Sequence, residues 1–169
     1  MLRRSLPCPL LVFAACGGGG GAVAPLPVST AARLAAENVE IAPAATSADV
    51  VVRLAAVPAE APRLLQVAVE LPPGLVLPPS DRLQAIAAVS QLDGDFVGER
   101  FVIVCGDAQN PAAAPLAAGP LFRLRVAPTT PRAPGSYQLR FTDLRAASRD
   151  GQVPVPVAAS PTEITVVVR

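Results

Sequence analysis

The 169-residue chain contains no histidine, no tryptophan and no lysine. Without histidine it lacks the commonest general base and the commonest metal ligand, and without tryptophan it lacks the best stacking surface for sugars and bases. All 14 basic residues are arginine and face 13 acids, for a formal net charge of +1. That balance gives no broad basic field, and no arginine cluster is dense enough to track phosphates, so nucleic-acid binding is excluded from the reading. There is no run of about 18 apolar residues free of proline and charge, so no membrane-spanning helix is expected. Disorder is excluded as well, because 51% of the residues are hydrophobic. The 20 prolines remove backbone donors and divide the chain into short segments, which favours strands over long helices.

The N-terminus has the layout of an export signal. Positive charge lies in residues 1–4, a short apolar stretch runs from Leu6 to Ala15, and the small residues Ala14 and Ala15 precede Cys16. Phe13-Ala14-Ala15-Cys16 resembles the lipobox of bacterial lipoproteins, with Phe13 where leucine is usual. The resemblance implies a signal peptide over residues 1–15, lipid attachment at Cys16 and a membrane anchor in the cell envelope. Several acyl chains on one residue suffice for stable anchoring. Gly17, rather than aspartate, after the cysteine implies the outer membrane in a cell that has two. Ala22-Val23-Ala24 offers an ordinary secretory cleavage site as an alternative, but Pro25 constrains the backbone just after it. Gly17 to Gly21 cannot pack and reads as a flexible tether. The Ala/Pro-rich stretch that follows extends this tether, so it is expected to occupy residues 16–36 and the folded domain residues 37–169.

Of the three cysteines, Cys8 leaves with the signal and Cys16 takes lipid, which leaves Cys105 with no intrachain partner. Alternation along Arg100-Phe101-Val102-Ile103-Val104-Cys105 puts Cys105 on the side of Phe101 and Ile103, in the core. No histidine is present to activate it as a nucleophile.

From Glu37 onward the apolar pattern has period two, the signature of strands. Val50, Val52 and Leu54 share one face of 49–57, and Leu65, Val67, Val69 and Leu71 share one face of 63–71. Phe122, Leu124 and Val126 point inward from 121–126 while Arg123 and Arg125 point outward. The pattern continues with Tyr137, Leu139 and Phe141 in 136–143, and with Ile164, Val166 and Val168 in 163–169. A weaker strand is expected near 38–42, and the segment 84–92 reads as a strand or as a short helix. Turn signals stand at Pro72-Pro73-Gly74, Asp93-Gly94, Gly106-Asp107, Gly119-Pro120, Pro134-Gly135 and Asp150-Gly151. The expectation is an all-β jelly-roll sandwich of about eight or nine strands.

The order of these segments is similar to the cohesin family and the carbohydrate-binding modules that share its fold. Asp49 to Val57, then Leu65 to Leu71 closed by Pro72-Pro73-Gly74-Leu75, resembles the family's early strands. Gly119-Pro120-Leu121-Phe122-Arg123-Leu124-Arg125-Val126, Gly135-Ser136-Tyr137-Gln138-Leu139, Asp150-Gly151 and Ile164-Thr165-Val166 resemble its later ones. The resemblance covers about 37–169 and implies a β-sandwich that binds dockerin-like or envelope proteins for scaffolding or adhesion. A carbohydrate-binding module of the same fold is the alternative, with a polysaccharide as partner. No individual contact residue carries over.

Little points to catalysis, so the chain is read as a non-enzyme with no cofactor and no metal. Asp93, Asp95 and Glu99 sit close together around Gly94 and Gly98, where a solvated turn explains them. They match only part of an oxygen-ligand calcium loop, whose full twelve-residue pattern is absent. Ser148-Arg149-Asp150 has no histidine to complete a triad. Sugar binding is weakened by one tyrosine and five phenylalanines, three of which (Phe101, Phe122 and Phe141) fall on predicted core faces. Protein binding demands no special residue type, and outward arginines such as Arg123 and Arg125 suit it.

Overall fold

The computed structural model describes residues 31–110, 112–148 and 153–169. The expected leader, Cys16, the tether up to residue 30 and the Asp150-Gly151 turn lie outside the described residues. The strands are β1 (Ala32–Ala36), β2 (Val39–Ile41), β3 (Ala48–Ala56), β4 (Leu64–Glu70), β5 (Leu75–Val76), β6 (Leu83–Ala85) and β7 (Leu92–Val97). They continue with β8 (Arg100–Gly106), β9 (Gly119–Pro128), β10 (Gly135–Ala147), β11 (Pro154–Val155), β12 (Val157–Ala159) and β13 (Glu163–Val168). Eight of these have five residues or more and five are fragments of two or three; six of the long ones, β3, β4, β8, β9, β10 and β13, are those expected from the alternation, and β1 and β7 are additional.

The strands form two sheets. The first has the order β12-β1-β3-β9-β5, with β6 also on β9; the second has the order β2-β13-β10-β4-β8-β7, with β11 also on β10. The chain enters through β1 in the first sheet and crosses at once to β2 in the second. Each of these lies parallel to a C-terminal strand, β1 to β12 and β2 to β13. The two ends of the domain therefore close the same side of the sandwich.

The core lies between the sheets because period-two alternation turns one apolar set inward from each strand. Leu34, Val50, Val52, Leu54, Phe122 and Leu124 come from the first sheet, and Leu65, Val67, Phe101, Ile103, Leu139 and Ile164 from the second, all at 1% exposure or less. Burying each of these larger side chains is worth about 1.5–3 kcal/mol.

Three expectations need correction. The folded part includes residues 32–36, within the expected tether: Ala32, Leu34 and Ala36 are buried in β1, which pairs with β3. Alanine hides this strand in the sequence, because a small side chain marks neither a core face nor an exposed one. The segment 84–92 is neither one strand nor a helix, since it pairs only at its two ends, Gln84 and Ala85 in β6 and Leu92 at the start of β7. Ile86 and Ala87 then donate their N–H groups to the Leu121 carbonyl at 2.9 and 3.1 Å, and the segment lies across β9. The register of β9 against β3 slips at Leu121, between the Phe122–Val52 and Pro120–Arg53 pairs, and this bulge residue joins the core at 1% exposure. Finally, Asp93-Gly94 is not a turn but part of β7. A Cβ on Gly94 would come within 2.6 Å of the Phe101 ring and 2.8 Å of Leu83, so glycine is there for close packing. The turn comes four residues later, at Gly98, where φ is +64°.

Two further ties were not visible in the pattern. The Arg132 guanidinium donates to the carbonyls of Ala45, Ile41, Ala42 and Arg169 at 2.7, 2.9, 2.8 and 2.6 Å, and to that of Pro43 at 3.2 Å. One planar cation thus holds the β2–β3 turn, the C-terminus and the loop before β10 together. Gly74, at φ +104°, lies under the Tyr137 ring, which leaves no room for a Cβ. The Tyr137 hydroxyl donates to the Ala133 carbonyl at 2.8 Å.

Candidate functional site

Titratable groups come first, because catalysis would need them. The Cys105 thiol is fully buried, and loss of solvent pushes its pKa up to about 11, so it stays protonated at neutral pH. Asp93 and Asp95 are exposed on β7, and Glu99 is exposed in the turn after it. Asp93 accepts a hydrogen bond from Gln91, and Asp95 accepts the Phe96 N–H at 2.8 Å. Among the described residues, no three carboxylate, thiol or imidazole groups are placed to hold a metal ion.

The outer face of the first sheet is charged but internally paired. Arg125 grips Asp49 at 2.9 and 3.5 Å and lies 4.0 Å from Asp81. The Asp49 hydrogen bond and charge raise the Arg125 pKa further above its ordinary value. Arg123 lies 3.5 Å from Asp49 and also bonds Gln84, while Arg53 pairs with Glu37. Arg123 and Arg125 therefore point outward as expected, but they are engaged with their own neighbours.

The outer face of the second sheet has a different make-up. The strand register sets its side chains in cross-strand rows over β7, β8, β4 and β10. One row reads Asp93, Val104, Gln66, Arg145, and the next reads Asp95, Val102, Ala68, Thr142. A third reads Val97, Arg100, Glu70, Arg140. The centre of the face is small and apolar: Ala68 is 1% exposed yet lies on the outer side, with the half-buried Val102 and Val104 beside it. Charges form the rim. Arg100 pairs with Asp143, and Arg140 pairs with Glu163 at 2.6 Å. Asp143 reaches Arg100 because a bulge in β10, with φ +45° at Asp143, interrupts the register between Thr142 and Arg145.

Shallow depressions ring this face. One, beside β7, is lined by Arg82, Asp93, Asp95, Val97, Val102 and Val104, and another, beside β10, by Leu64, Gln66, Arg145, Ala147 and Pro154. Two more flank Glu70, toward Val97 and Arg100 and toward Gln138 and Arg140. Val97, 62% exposed, stands at the edge as an apolar knob.

The edge strand itself is capped. The Gly94 carbonyl is taken by Arg82 at 3.4 Å and the Phe96 N–H by the Asp95 carboxylate. Arg82 also lies over the rings of Phe96 and Phe101, at 5.9 and 5.1 Å from their centroids. Such contacts are worth about 0.5–2 kcal/mol, and the capping discourages strand addition at β7. What remains open to a partner is the flat face.

Sequence reasoning did not single out this face. Its members come from four strands far apart in the chain, and each residue alone is an ordinary outward side chain. The alternation already showed which side of each strand faces out; only the register shows which outward residues share a row.

In sequence, the chain matches no family model and no curated protein. In structure, it resembles the sixth cohesin of Acetivibrio cellulolyticus scaffoldin B, solved in complex with a dockerin, with a TM-score of 0.67 at 14% identity. That match covers 83% of this chain and 100% of the cohesin. A Clostridium thermocellum cohesin, OlpC, from a type I cohesin–dockerin complex gives 0.66 at 12% identity, covering 84% of this chain and 96% of its own. A non-cellulosomal cohesin from the hyperthermophilic archaeon Archaeoglobus fulgidus gives 0.53 at 18%, covering 82% and 91%. The chain therefore has the cohesin-like β-sandwich fold, all-β and in two layers, as the order of its strands implied.

Proposed function

We propose that this chain is a non-enzymatic protein-binding module of the cohesin type, a scaffolding or adhesion unit held at the cell envelope by lipid on Cys16. The observation that carries the reading is the outer face of β10-β4-β8-β7, which combines a small apolar centre with a charged rim, the usual make-up of a docking surface. The fold lends support, since solved examples of it include cohesins in complex with dockerins. A dockerin-like or other envelope protein is the proposed partner. The lack of histidine and the protonated, buried thiol support a role without turnover. A polysaccharide partner is less well served, because Tyr137 lies against Gly74 and Phe96 has Arg82 over its ring.

The test immobilises the full chain and presents dockerin modules together with envelope and secreted proteins. Specific capture that is lost on Val102→Asp is the expected result; catalytic turnover, or polysaccharide binding that ignores this change, overturns the reading. Mass spectrometry of the native membrane form should find acyl groups on Cys16, and an unmodified residue there removes the anchor.

A further inference from the structure

We propose that the outer face of the second sheet is self-complementary and pairs two copies of this chain. The two-fold axis runs parallel to the strands, between β4 and β8. It lays one copy over the other so that every cross-strand row meets itself reversed, β7 over β10 and β8 over β4.

The row Asp93, Val104, Gln66, Arg145 then sets Asp93 of each copy against Arg145 of the other, with Val104 over Gln66. In the row Val97, Arg100, Glu70, Arg140, each Arg100, paired with Asp143 of its own copy, comes over a Glu70, and the stem of each Arg140, paired with Glu163, covers the exposed Val97. In the middle row, Val102 comes over the strip beside Ala68, which is itself 1% exposed, and Asp95 comes over Thr142. No row opposes like charges. The depression beside Asp93 and Val104 receives Arg145 from the other copy, itself on the rim of the depression beside Gln66.

This complementarity is specific to the axis. An axis at right angles to the strands matches the first row with the third, which sets Arg145 against Arg140 and Arg100 on Val104. The same residues thus attract in one arrangement and repel in the other, and the isologous contact is closed at two copies. Among the described residues Arg145 and Glu70 have no ion-pair partner within 4 Å, so their charges are available to act between copies.

Four strands about 4.8 Å apart and about six residues long present roughly 400 Å² of flat face. That is below the roughly 800 Å² per partner of stable complexes, so the pair is weak, with a Kd on the order of 0.1 mM. Self-pairing covers the face proposed for the protein partner, but it does not depend on that partner.

The experiment is sedimentation velocity on the full chain from about 10 μM to about 1 mM, a range that brackets such a Kd. The native chain should move toward dimer as concentration rises, and less so in high salt. Asp93→Arg alone and Arg145→Asp alone should each remain monomeric, because each repels its own copy. Mixed in equal amounts, the two variants should form a heterodimer, since each then offers the charges the other needs. A native chain that stays monomeric at about 1 mM, a dimer untouched by either reversal, or a mixture that does not associate overturns the proposal. Both positions are exposed, and unchanged circular dichroism confirms that the variants fold. Capture of a partner without self-association removes only this inference, and self-association without any partner removes only the proposed function.

Discussion

On the outer face of the first sheet, Arg123 and Arg125 converge on one carboxylate, Asp49, and Arg53 takes Glu37. On the outer face of the second, Asp93 and Asp95 lie along β7, while Arg145 stands three strands away on β10 with Ala68, Val102 and Val104 between. Both faces are built from alternate residues of alternating strands and both carry arginine. They differ in what is left over: on the second face Arg100 and Arg140 are paired with Asp143 and Glu163 and Asp95 lies 3.8 Å from Arg82, while Asp93 and Arg145 stand on distant strands. Neighbouring charges satisfy one another and leave little to offer a second molecule. Charges separated by a small apolar strip remain available, and the strip provides surface that gains from leaving water.

The most severe way to break this comparison is to remove what both faces rest on. Phe101→Ala empties a core position under β8 and should cost about 3–5 kcal/mol in urea unfolding, disabling both faces together. A narrower change separates them: Val102→Asp should weaken partner binding by about thirtyfold or more in calorimetry, about 2 kcal/mol, as for a hot-spot residue. Val51→Asp, the corresponding exposed valine on the first face, should leave binding within about threefold, an effect of about 0.6 kcal/mol.

Cys105 reports on the layer beneath the second face. Burial pushes its folded pKa up to about 11, above the ordinary thiol value of 9.0, so the unfolded chain loses the proton first. The resulting stability is fully present below pH 9 and should be lost as pH rises from about 9 to 11, by an amount on the order of 2 kcal/mol. Comparing unfolding at the two ends of that window, for the native chain and for Cys105→Ala, checks the sign. The smallest effect is expected from Asp49→Asn. It should lower stability by about 0.5–1 kcal/mol, given the partial exposure of the pair, and leave partner binding unchanged. A loss of binding on that change would mean that the first face also docks a partner.

Much of the fold was legible because its long strands bury one face and expose the other. β3, β4, β9, β10 and β13 each carry three branched or aromatic residues at period two, β8 carries Phe101 and Ile103 with Cys105, and the core uses those very residues. β1 was missed because Ala32, Ala35 and Ala36 bury too little to show a pattern. β7 was misread because Asp93-Gly94 has turn chemistry, whereas Gly94 is actually held flat by Phe101 and Leu83 above it. Arg132 gave no signal at all, because the carbonyls it binds belong to residues 41–45 and to the C-terminus.

By itself the sequence determined the class of fold, the inward set of each long strand and the absence of a histidine-based site, since these follow from local alternation and composition. The tertiary structure alone decided which outward residues share a row and how Asp93 and Arg145 come to flank one apolar strip. It also decided which carboxylates are already taken. Register is a relation between segments distant in the chain, and a shift of one residue would turn every one of those side chains to the other side of the sheet.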